Sequence, residues 1–347
     1  MATLADVARR AGVSTATVSR IINNSPKPVA EALRERVLAA VAELQFVPNA
    51  NAQQLARADR TAVGVIVHDV SDPYFAEITR GLQRVATEHG RLVIICNSYR
   101  EPERELAYVD LLHAHRTAAI VLAGSGYVDP ATTEQLESKL RVFEATGGRI
   151  AVIGRHEHAG DAIVPENEHG GRLAADALYR LGHTTIGVIA GPEHLTTTTD
   201  RLTGVRSAAR EHRRRLTTRQ IEYAGFDRAG GMAATARLLD RNPGLTAIAA
   251  LNDSMAIGAL ACLRDRGLRV PEDISVIGFD DMPVSVDVTP PLSTVRLPLE
   301  ELGVRAMSLV LGTPSDTPRV EHAAASLVLR GTTGPPPSPP PPPSPRG

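Results

Sequence analysis

The sequence lacks long apolar runs and is poor in cysteine, and both shortages limit what the chain can be. No stretch of 18 consecutive apolar residues occurs in its 347 residues, so a membrane-spanning helix is not expected. The N-terminus lacks the basic segment, apolar core and cleavage site of an export signal. Its two cysteines, Cys96 and Cys262, lie far apart in apolar runs, which favours buried, reduced thiols. We therefore expect a cytoplasmic protein.

The charge is small overall but unevenly distributed. The net charge is −1, yet residues 1–60 contain eight Lys or Arg and only five Asp or Glu. A basic segment attached to an acidic body favours a polyanion-binding module joined to another unit, although a mixed solvated surface would show the same small excess. The length itself predicts two or three units.

Three short helical patterns fill the first 46 residues. Thr3 can cap the first helix, with Asp6 three positions later, and Gly12 provides a turn. Ser14 can cap the second helix. The third is expected at about residues 30–45, without a capping side chain at its start. We assign residues 1–47 to an all-α helix-turn-helix head.

The second helix shows an unusual outer face. Val18 and Ile21 are spaced to face inward, whereas short hydroxyls and Arg20 face outward. A small, polar, basic helix face fits the major groove of DNA, where an arginine can bind guanine O6 and N7 together. A three-helix packing module without a ligand remains the alternative. Residues 48–60, which follow the head, predict a hinge segment whose helix, only about nine residues long, is too short to be stable alone, since roughly 12 to 15 residues are needed.

From residue 61 the pattern changes to apolar runs separated by helix-length segments. These runs are 62–67, 92–96, 118–123, 150–154, 185–191, 247–251 and 275–279. Uniformly apolar strands are typical of a parallel sheet covered by helices on both faces. We predict an α/β core, residues 61–334, of two Rossmann-like lobes at about 61–157 plus 291–325 and at 162–288. A cleft at the strand carboxyl ends would separate them. The proline-rich residues 335–347 predict a disordered tail.

Long segments of the chain resemble one family. The resemblance is carried by "TLADVARRAGVSTATVSRIINNS", "DPYFAEITRGLQRVATEHG", "LNDSMAIGALACLRDRGLRVPEDISVIGFDD" and "TPPLSTVRLPLEELG", in this order. They are similar to the lactose-repressor and galactose-repressor family of bacterial transcription regulators, over about residues 2–334. The resemblance implies a periplasmic sugar-binding-protein-like core that forms a homodimer and couples effector binding to a palindromic operator. It also implies a nucleoid-associated repressor with no cofactor and no metal.

The same resemblance implies DNA-contacting residues. Those that fall where the family reads major-groove bases are Thr15, Ala16, Thr17 and Arg20. Those that fit backbone-phosphate or cap positions are Ser14, Ser19 and Asn23, and Asn49 is a further expected contact. Leu55 corresponds to the apolar wedge that the family inserts into the minor groove. Gln53 and Gln54 stand where a basic residue is common, so phosphate contact there is expected to be weaker.

Effector-binding residues are implied in the cleft, namely Tyr74, Phe75, Thr197, Arg201, Phe226, Asn252 and Asp280. The aromatic rings offer stacking surfaces, and an Arg, an Asn and an Asp can donate to and accept from hydroxyls. Asp253 and Asp281 are adjacent candidates or simple helix caps. Leu195 stands near where purine-sensing members place a polar or basic residue, which favours a sugar or glycoside over a purine.

Other functional classes find less support in the sequence. A cytoplasmic sugar-binding or sugar-processing protein on the same fold is the alternative, but no nucleophile or acid/base pair appears in a recognisable setting. The alternating pairs His113/His115 and His156/His158 could face one metal, yet no carboxylate or cysteine completes a set at known spacing. The segment "GSG", residues 124–126, lacks the third glycine of a dinucleotide-binding loop and predicts a turn. We therefore expect a regulator and not an enzyme.

Overall fold

The computed structural model describes residues 2–22, 28–47, 61–157 and 160–337, which divide into two compact units at residue 61. The first unit contains three helices, α1 (Leu4–Ala11), α2 (Thr15–Ile22) and α3 (Glu31–Glu43). Its buried core consists of seven small or medium apolar residues, Val7, Ala8, Ala11, Val18, Ile21, Val37 and Ala40. The predicted hinge, residues 48–60, and residues 338–347 of the predicted tail lie outside the described residues.

Local signals at the ends of these helices act as predicted. Thr3 and Asp6 form a reciprocal capping box at the start of α1. Gly12 ends the helix at φ 65°, in the left-handed region that favours glycine. The Ser14 hydroxyl accepts a hydrogen bond from the amide nitrogen three residues later, at 3.2 Å. The start of α3 has no side-chain cap.

The second unit is built on parallel sheets. Six strands form one sheet in the order β11-β5-β4-β3-β1-β2, four form another in the order β7-β6-β8-β9, and β10 and β12 form an antiparallel pair. The bounds are β1 Ala62–Val67, β2 Leu92–Asn97, β3 Ala119–Ala123, β4 Arg149–Ile153, β5 Asp161–Pro165, β6 Ile186–Ala190, β7 Ile221–Tyr223, β8 Ala247–Ala250, β9 Ser275–Ile277, β10 Thr294–Arg296, β11 Val320–Ala323 and β12 Ser326–Val328.

Helices cover these sheets, as the apolar strands predict. Their bounds are α4 Pro73–Glu88, α5 Pro102–Ala114, α6 Pro130–Ala145, α7 Asn167–Arg180, α8 Thr196–Glu211, α9 Arg228–Arg241, α10 Asp253–Asp265 and α11 Leu299–Leu311. The chain crosses between the sheets after β5, again between β9 and α11, and finally after β11.

The packing of α4 against α11 holds in place the helix at whose start Tyr74 and Phe75 lie. A Cβ on Gly81 would lie 2.0 Å from the carbonyl oxygen of Glu300, and a Cβ on Gly303 would lie 2.0 Å from that of Ile78. Both glycines are therefore required for the close approach of the two helix backbones. This contact ties the returning C-terminal segment to the first lobe.

Two sequence-based assignments are corrected by the sheets. The lobe boundary at 162 is wrong, because Asp161–Pro165 pairs in parallel with both β4 and β11 of the first sheet. The segment 92–96 forms the predicted strand but is not buried on both faces. It is an edge strand on which Leu92 is 66% exposed and Ile95 37% exposed. An apolar run can therefore mark an uncovered edge as well as a sheet interior.

Candidate functional site

The outer face of α2 is polar and open to solvent. Thr15, Ala16 and Arg20 are exposed, and Thr17 and Ser19 are half-buried. Val18 and Ile21 point the opposite way into the core of the head. Because side chains four residues apart share a helix face, Ala16 and Arg20 lie side by side on the face away from the core.

The turn before α2 holds that helix in place. The exposed Ser14 hydroxyl lies 2.9 Å from the Thr17 hydroxyl, in addition to capping the helix. Arg36 of α3 donates to the carbonyl oxygen of Ala11, at the end of α1. α1 and α3 are thus linked by a polar contact as well as by the small apolar core. Asn23, Asn49 and Leu55, the remaining predicted DNA contacts, lie outside the described residues.

The carboxyl ends of both sheets meet at a cavity, which we call the cleft. The structure brings together all seven residues predicted to bind the effector at its wall, namely Tyr74, Phe75, Thr197, Arg201, Phe226, Asn252 and Asp280. Ligand sites in open α/β sheets lie at this edge because strand ends and loops converge there.

Arg201 and Asp280 form a fully buried ion pair in the cleft wall. Nη2 of Arg201 lies 2.8 Å from Oδ1 of Asp280. The guanidinium also donates to Asn167 Oδ1 and to the Leu251 carbonyl oxygen, and it stacks on the Phe279 ring at 3.7 Å. Three of its five N–H groups are thus bound to the protein. Burial raises the pKa of Asp280, and the Arg201 guanidinium opposes that rise.

Asn252 is more strongly tied to the fold than the sequence indicates. Its Oδ1 accepts from the Met255 amide at 2.8 Å, so it caps α10, and its Nδ2 donates to the Phe226 carbonyl oxygen. Asn252 therefore shapes the cleft and holds the Phe226 loop. Asp253 also has a structural position, because its carboxylate accepts hydrogen bonds from the Met282 amide and from the hydroxyls of Ser285 and Thr294.

Asp281 does not line the cleft either. Its carboxylate is paired with Arg296 at 2.7 Å and with Arg330 at 2.6 Å. Neither Asp253 nor Asp281 caps a helix by its side chain, because the cap of α10 is Asn252. Of the three candidate aspartates in this region, only Asp280 reaches the cavity.

The aromatic residues form one corner of the cleft. The rings of Tyr74 and Phe75 meet edge to face at 4.9 Å at the start of α4, and Phe75 contacts the His68 ring in the same way at 5.6 Å. Asp72 caps α4 by accepting from the Tyr74 amide at 3.1 Å. Burial raises the pKa of Tyr74 above its ordinary value, so its hydroxyl stays protonated.

Sequence reasoning missed His68, Asp72, Arg100 and Ser125, which also line the cleft. The imidazole of His68 accepts from the Ser125 amide through Nε2 at 3.2 Å. Its Nδ1 therefore carries the proton and donates to the Ser98 hydroxyl at 3.2 Å. Burial lowers the pKa of His68 to about 3, so it is neutral. The sequence signal that could have identified these four residues is their position just after a predicted strand: His68 and Asp72 follow β1, Arg100 follows β2 and Ser125 follows β3.

Direct contacts join the two lobes beside the cleft. The Ser125 hydroxyl donates to the Thr197 hydroxyl at 2.6 Å. The amide of Thr196 donates to the Gly126 carbonyl oxygen at 3.0 Å. Arg155 of the first lobe forms a bidentate pair with Asp200 of the second, at 2.7 and 3.0 Å. The lobes are therefore held in a closed arrangement by the rim of the cleft itself.

His113 and His115 do not form the alternating strand face that could hold a metal. His113 is in the last turn of α5, where its Nε2 lies 3.1 Å from the Thr146 hydroxyl, and His115 follows that helix. His156 is in a loop near the Gly124 carbonyl oxygen, and residue 158 is outside the described part of the chain. Among the described residues no group of three His, Cys, Asp or Glu could hold a metal ion. In the same residues, every helix is too short or too polar to cross a membrane.

Comparison with known proteins agrees with this geometry. Residues 3–49 match the family described as "Bacterial regulatory proteins, lacI family", and residues 175–333 match the "Periplasmic binding protein-like domain". The chain is 38% identical over 321 residues to the HTH-type transcriptional regulator GalR of Escherichia coli (strain K12), covering 92% of both chains.

Two solved structures are similar along nearly the whole chain. One is the lac repressor dimer bound to operator and the anti-inducer ONPF, at 28% identity and a TM-score of 0.81, covering 96% of this chain and 99% of that one. The other is a complex of the transcriptional regulator CelR with cellobiose, at 30% identity and a TM-score of 0.70, covering 96% and 100%. The chain thus belongs to the lacI family, as a DNA-binding transcriptional regulator controlled by a small effector and not an enzyme.

Proposed function

We propose that the chain is a repressor whose affinity for a palindromic operator is controlled by a neutral sugar or glycoside bound in the cleft. The observation that carries the proposal is the buried Arg201–Asp280 pair facing the aromatic corner at Tyr74 and Phe75. Asp280 Oδ1 is bound to Arg201, whereas its second oxygen can accept from a hydroxyl. An aromatic surface beside polar groups suits a sugar ring, which has apolar faces and a polar edge.

The head supplies the DNA-reading surface in this proposal. The exposed face of α2 places Thr15, Ala16 and Arg20 where an inserted helix meets base edges, and Thr17 lies at its border. Ser14 and Ser19 are placed to contact backbone phosphates, as are Asn23 and Asn49 beyond the described residues. Leu55 is proposed as the minor-groove wedge.

The first lobe offers a surface for the homodimer that a palindrome requires. The edge strand β2 exposes Leu92 and Ile95, and Leu111 on α5 is 51% exposed. An uncovered apolar strand edge is normally protected by a partner. We propose that β2, α5 and α4 form the dimer interface. The protein acts in the cytosol, and we propose that it is associated with the nucleoid.

The experiment that tests the effector class is a thermal-shift screen of the full chain with sugars, glycosides and nucleosides. A ligand at 100 times its dissociation constant stabilises the folded state by about 2.7 kcal/mol. We expect a neutral sugar or glycoside to raise the melting temperature, and the Asp280→Asn variant to lose that shift. A rise in melting temperature with nucleosides and none with sugars would contradict the proposed class of effector. It would not contradict the proposal that the protein binds DNA.

A further inference from the structure

A dense cluster of arginines lies on the surface of the second lobe. Residues 206–219, "RSAAREHRRRLTTR", contain six arginines and only one acid, Glu211. They form the second half of α8 and the loop that leads to β7. The six arginines are all exposed, namely Arg206, Arg210, Arg213, Arg214, Arg215 and Arg219. Because the net charge of the whole chain is −1, this excess of positive charge is local, and we call it the arginine patch.

The fold gives the arginine patch no carboxylate partner. Three acids of the surrounding elements are each paired with another cation, namely Glu211 with Arg172, Asp176 with His212 and Arg180, and Glu222 with Arg237 and Arg241. Within the described part of the chain, no patch arginine forms an ion pair, and only Arg219 has a side-chain hydrogen bond, to the Arg241 carbonyl oxygen at 3.3 Å. The patch therefore presents its charge and its N–H groups to solvent.

The loop that carries three of these arginines is fixed at both ends. At its start, Nε2 of His212 lies 2.7 Å from Oδ1 of Asp176. At its end, the buried side-chain amide of Gln220 donates to the Ile186 carbonyl oxygen at 3.0 Å. Between them, Arg213 has φ 55°, in the left-handed region that favours glycine. The turn after α8 thus holds an arginine where a glycine would be less strained.

The composition of the patch indicates what it binds. Guanidinium groups present planar pairs of N–H donors that match phosphate oxygens. The core of a protein–protein interface is usually apolar or aromatic, whereas residues 206–219 contain no aromatic residue and their one large apolar residue, Leu216, is half-buried. A charged surface without an apolar centre suits the phosphate backbone of DNA, which proteins bind through Arg and Lys without reading the sequence.

The patch lies at the end of the core opposite Ala62. The carboxyl ends of both sheets face the cleft, so their amino ends lie on the two far sides of the core. β1 begins at Ala62 in the first sheet, whereas residues 212–220 precede β7 at the amino end of the second sheet. DNA bound to the patch would therefore be distant from the point at which the chain enters the core.

We propose that the arginine patch is a second DNA-binding surface, which binds the phosphate backbone of a duplex without reading its sequence. This goes beyond the proposed function, in which DNA is bound through the head and the hinge. A protein that holds an operator in this way and a second DNA segment through the patch bridges two duplexes.

Capture of a second duplex by the operator-bound protein tests the inference. A short operator, selected from random DNA by the protein, is immobilised, loaded with the full chain and washed. A labelled duplex of unrelated sequence is then added. We expect the wild type to capture this duplex with an affinity that falls steeply as salt increases, because phosphate contacts release counterions.

The test variant is Arg213→Gln/Arg214→Gln/Arg215→Gln, in the exposed loop. It should load on the operator as the wild type does and should capture the second duplex at least about tenfold more weakly, with a smaller salt dependence. Replacement of the same three residues by Lys keeps the charge and should retain capture. The matched control is Arg116→Gln/Arg228→Gln/Arg264→Gln, which removes three exposed arginines outside the patch and should capture the duplex like the wild type.

Four results would overturn the inference. The first is a wild type that is loaded on the operator and captures no second duplex at low salt. The second is capture by the triple Gln variant at wild-type affinity. The third is an equal loss in the matched control or in the Lys variant, which would remove the link to the charge of the patch. The fourth is competition by polyglutamate at a lower concentration of charge than competing DNA, which would assign the patch to an acidic protein.

Discussion

The head and the cleft use polar residues in opposite ways. In the head, the functional face of α2 is exposed and polar, over a core of seven small or medium apolar residues. In the cleft, Arg201, Asp280 and Asn252 are each at most 4% exposed. Arg201 donates hydrogen bonds to Asp280 and Asn167, and Asn252 donates one to the Phe226 carbonyl oxygen. A change on the α2 face should therefore alter function alone, whereas a change in the cleft should alter function and stability together.

The largest expected effect is in the cleft. Arg201→Ala leaves Asp280 buried without its partner and removes hydrogen bonds to Asn167 and Leu251. Loss of one member of a buried ion pair destabilises a protein by about 3–5 kcal/mol, and we also expect effector affinity to fall at least 100-fold. Urea unfolding and calorimetry measure the two losses. If the variant lost effector binding but kept wild-type stability, the claim that cleft changes, unlike changes on the α2 face, alter function and stability together would be wrong.

The next largest effect is a pH dependence of stability that arises in the second unit and should not affect the head. Burial raises the pKa of Glu105 to about 7 from its ordinary 4.5, and Tyr127 donates to it at 3.0 Å. The folded protein thus holds this proton between about pH 4.5 and 7 while the unfolded chain releases it, so this group's contribution to stability falls as pH rises through that range.

Glu105→Gln removes that dependence by mimicking the protonated group. We expect the variant to exceed the wild type in unfolding free energy by about 3 kcal/mol at pH 8, with the difference vanishing near pH 4. No carboxylate is buried among the described residues of the head, so DNA affinity in the absence of effector should be unchanged. A constant stability difference at all pH values would exclude the titration of Glu105 as its source.

Arg20→Ala is expected to act on function alone. The side chain is exposed and projects from the face of α2 opposite the core. Loss of a bidentate contact to guanine costs about 1–3 kcal/mol of discrimination at one base pair. Binding of the variant to operators that differ at single positions measures the loss of discrimination. Unfolding of the same variant checks that its stability is unchanged. Equal weakening on every sequence would indicate a phosphate contact instead.

The smallest effect tests the helix start in the head. Thr3→Ala removes the capping box with Asp6, which should destabilise α1 by about 1 kcal/mol. With so small a core, this loss should lower operator affinity while leaving effector binding unchanged. The matched control is Thr132→Ala in α6, where Asp129 accepts from the Thr132 hydroxyl; it should leave operator affinity unchanged.

The sequence predicts the head well because its signals are local. The caps at Thr3 and Ser14, the turn at Gly12 and the inward face of Val18 each depend on spacing within one or two helical turns. The strands of the sheet interiors were also predicted, since they are apolar throughout. Three short strands were not predicted, namely Asp161–Pro165, Ile221–Tyr223 and Val320–Ala323. Each has only a few residues, some of them polar, so no hydrophobic periodicity is visible.

The cleft was predicted only in part, because its chemistry depends on tertiary contacts. The resemblance to a family supplied Arg201 and Asp280 but could not show that Arg201 is already bound by Asn167 and Leu251. Arg100 had no motif of its own, and only the tertiary structure places it at the cleft. Asp253 looked like a site residue because it neighbours Asn252, yet its carboxylate faces Ser285 and Thr294.

The most direct test of the account is the effect of the effector on operator affinity in one experiment on the full chain. Fluorescence anisotropy would use an operator selected from random DNA by the protein, with and without the sugar found in the thermal-shift screen. We expect operator affinity of the wild type to change by a factor of about 5–150, the usual range of allosteric coupling, with no such change for Arg201→Ala. A sugar that binds the wild-type cleft yet leaves operator affinity unaltered would contradict the account.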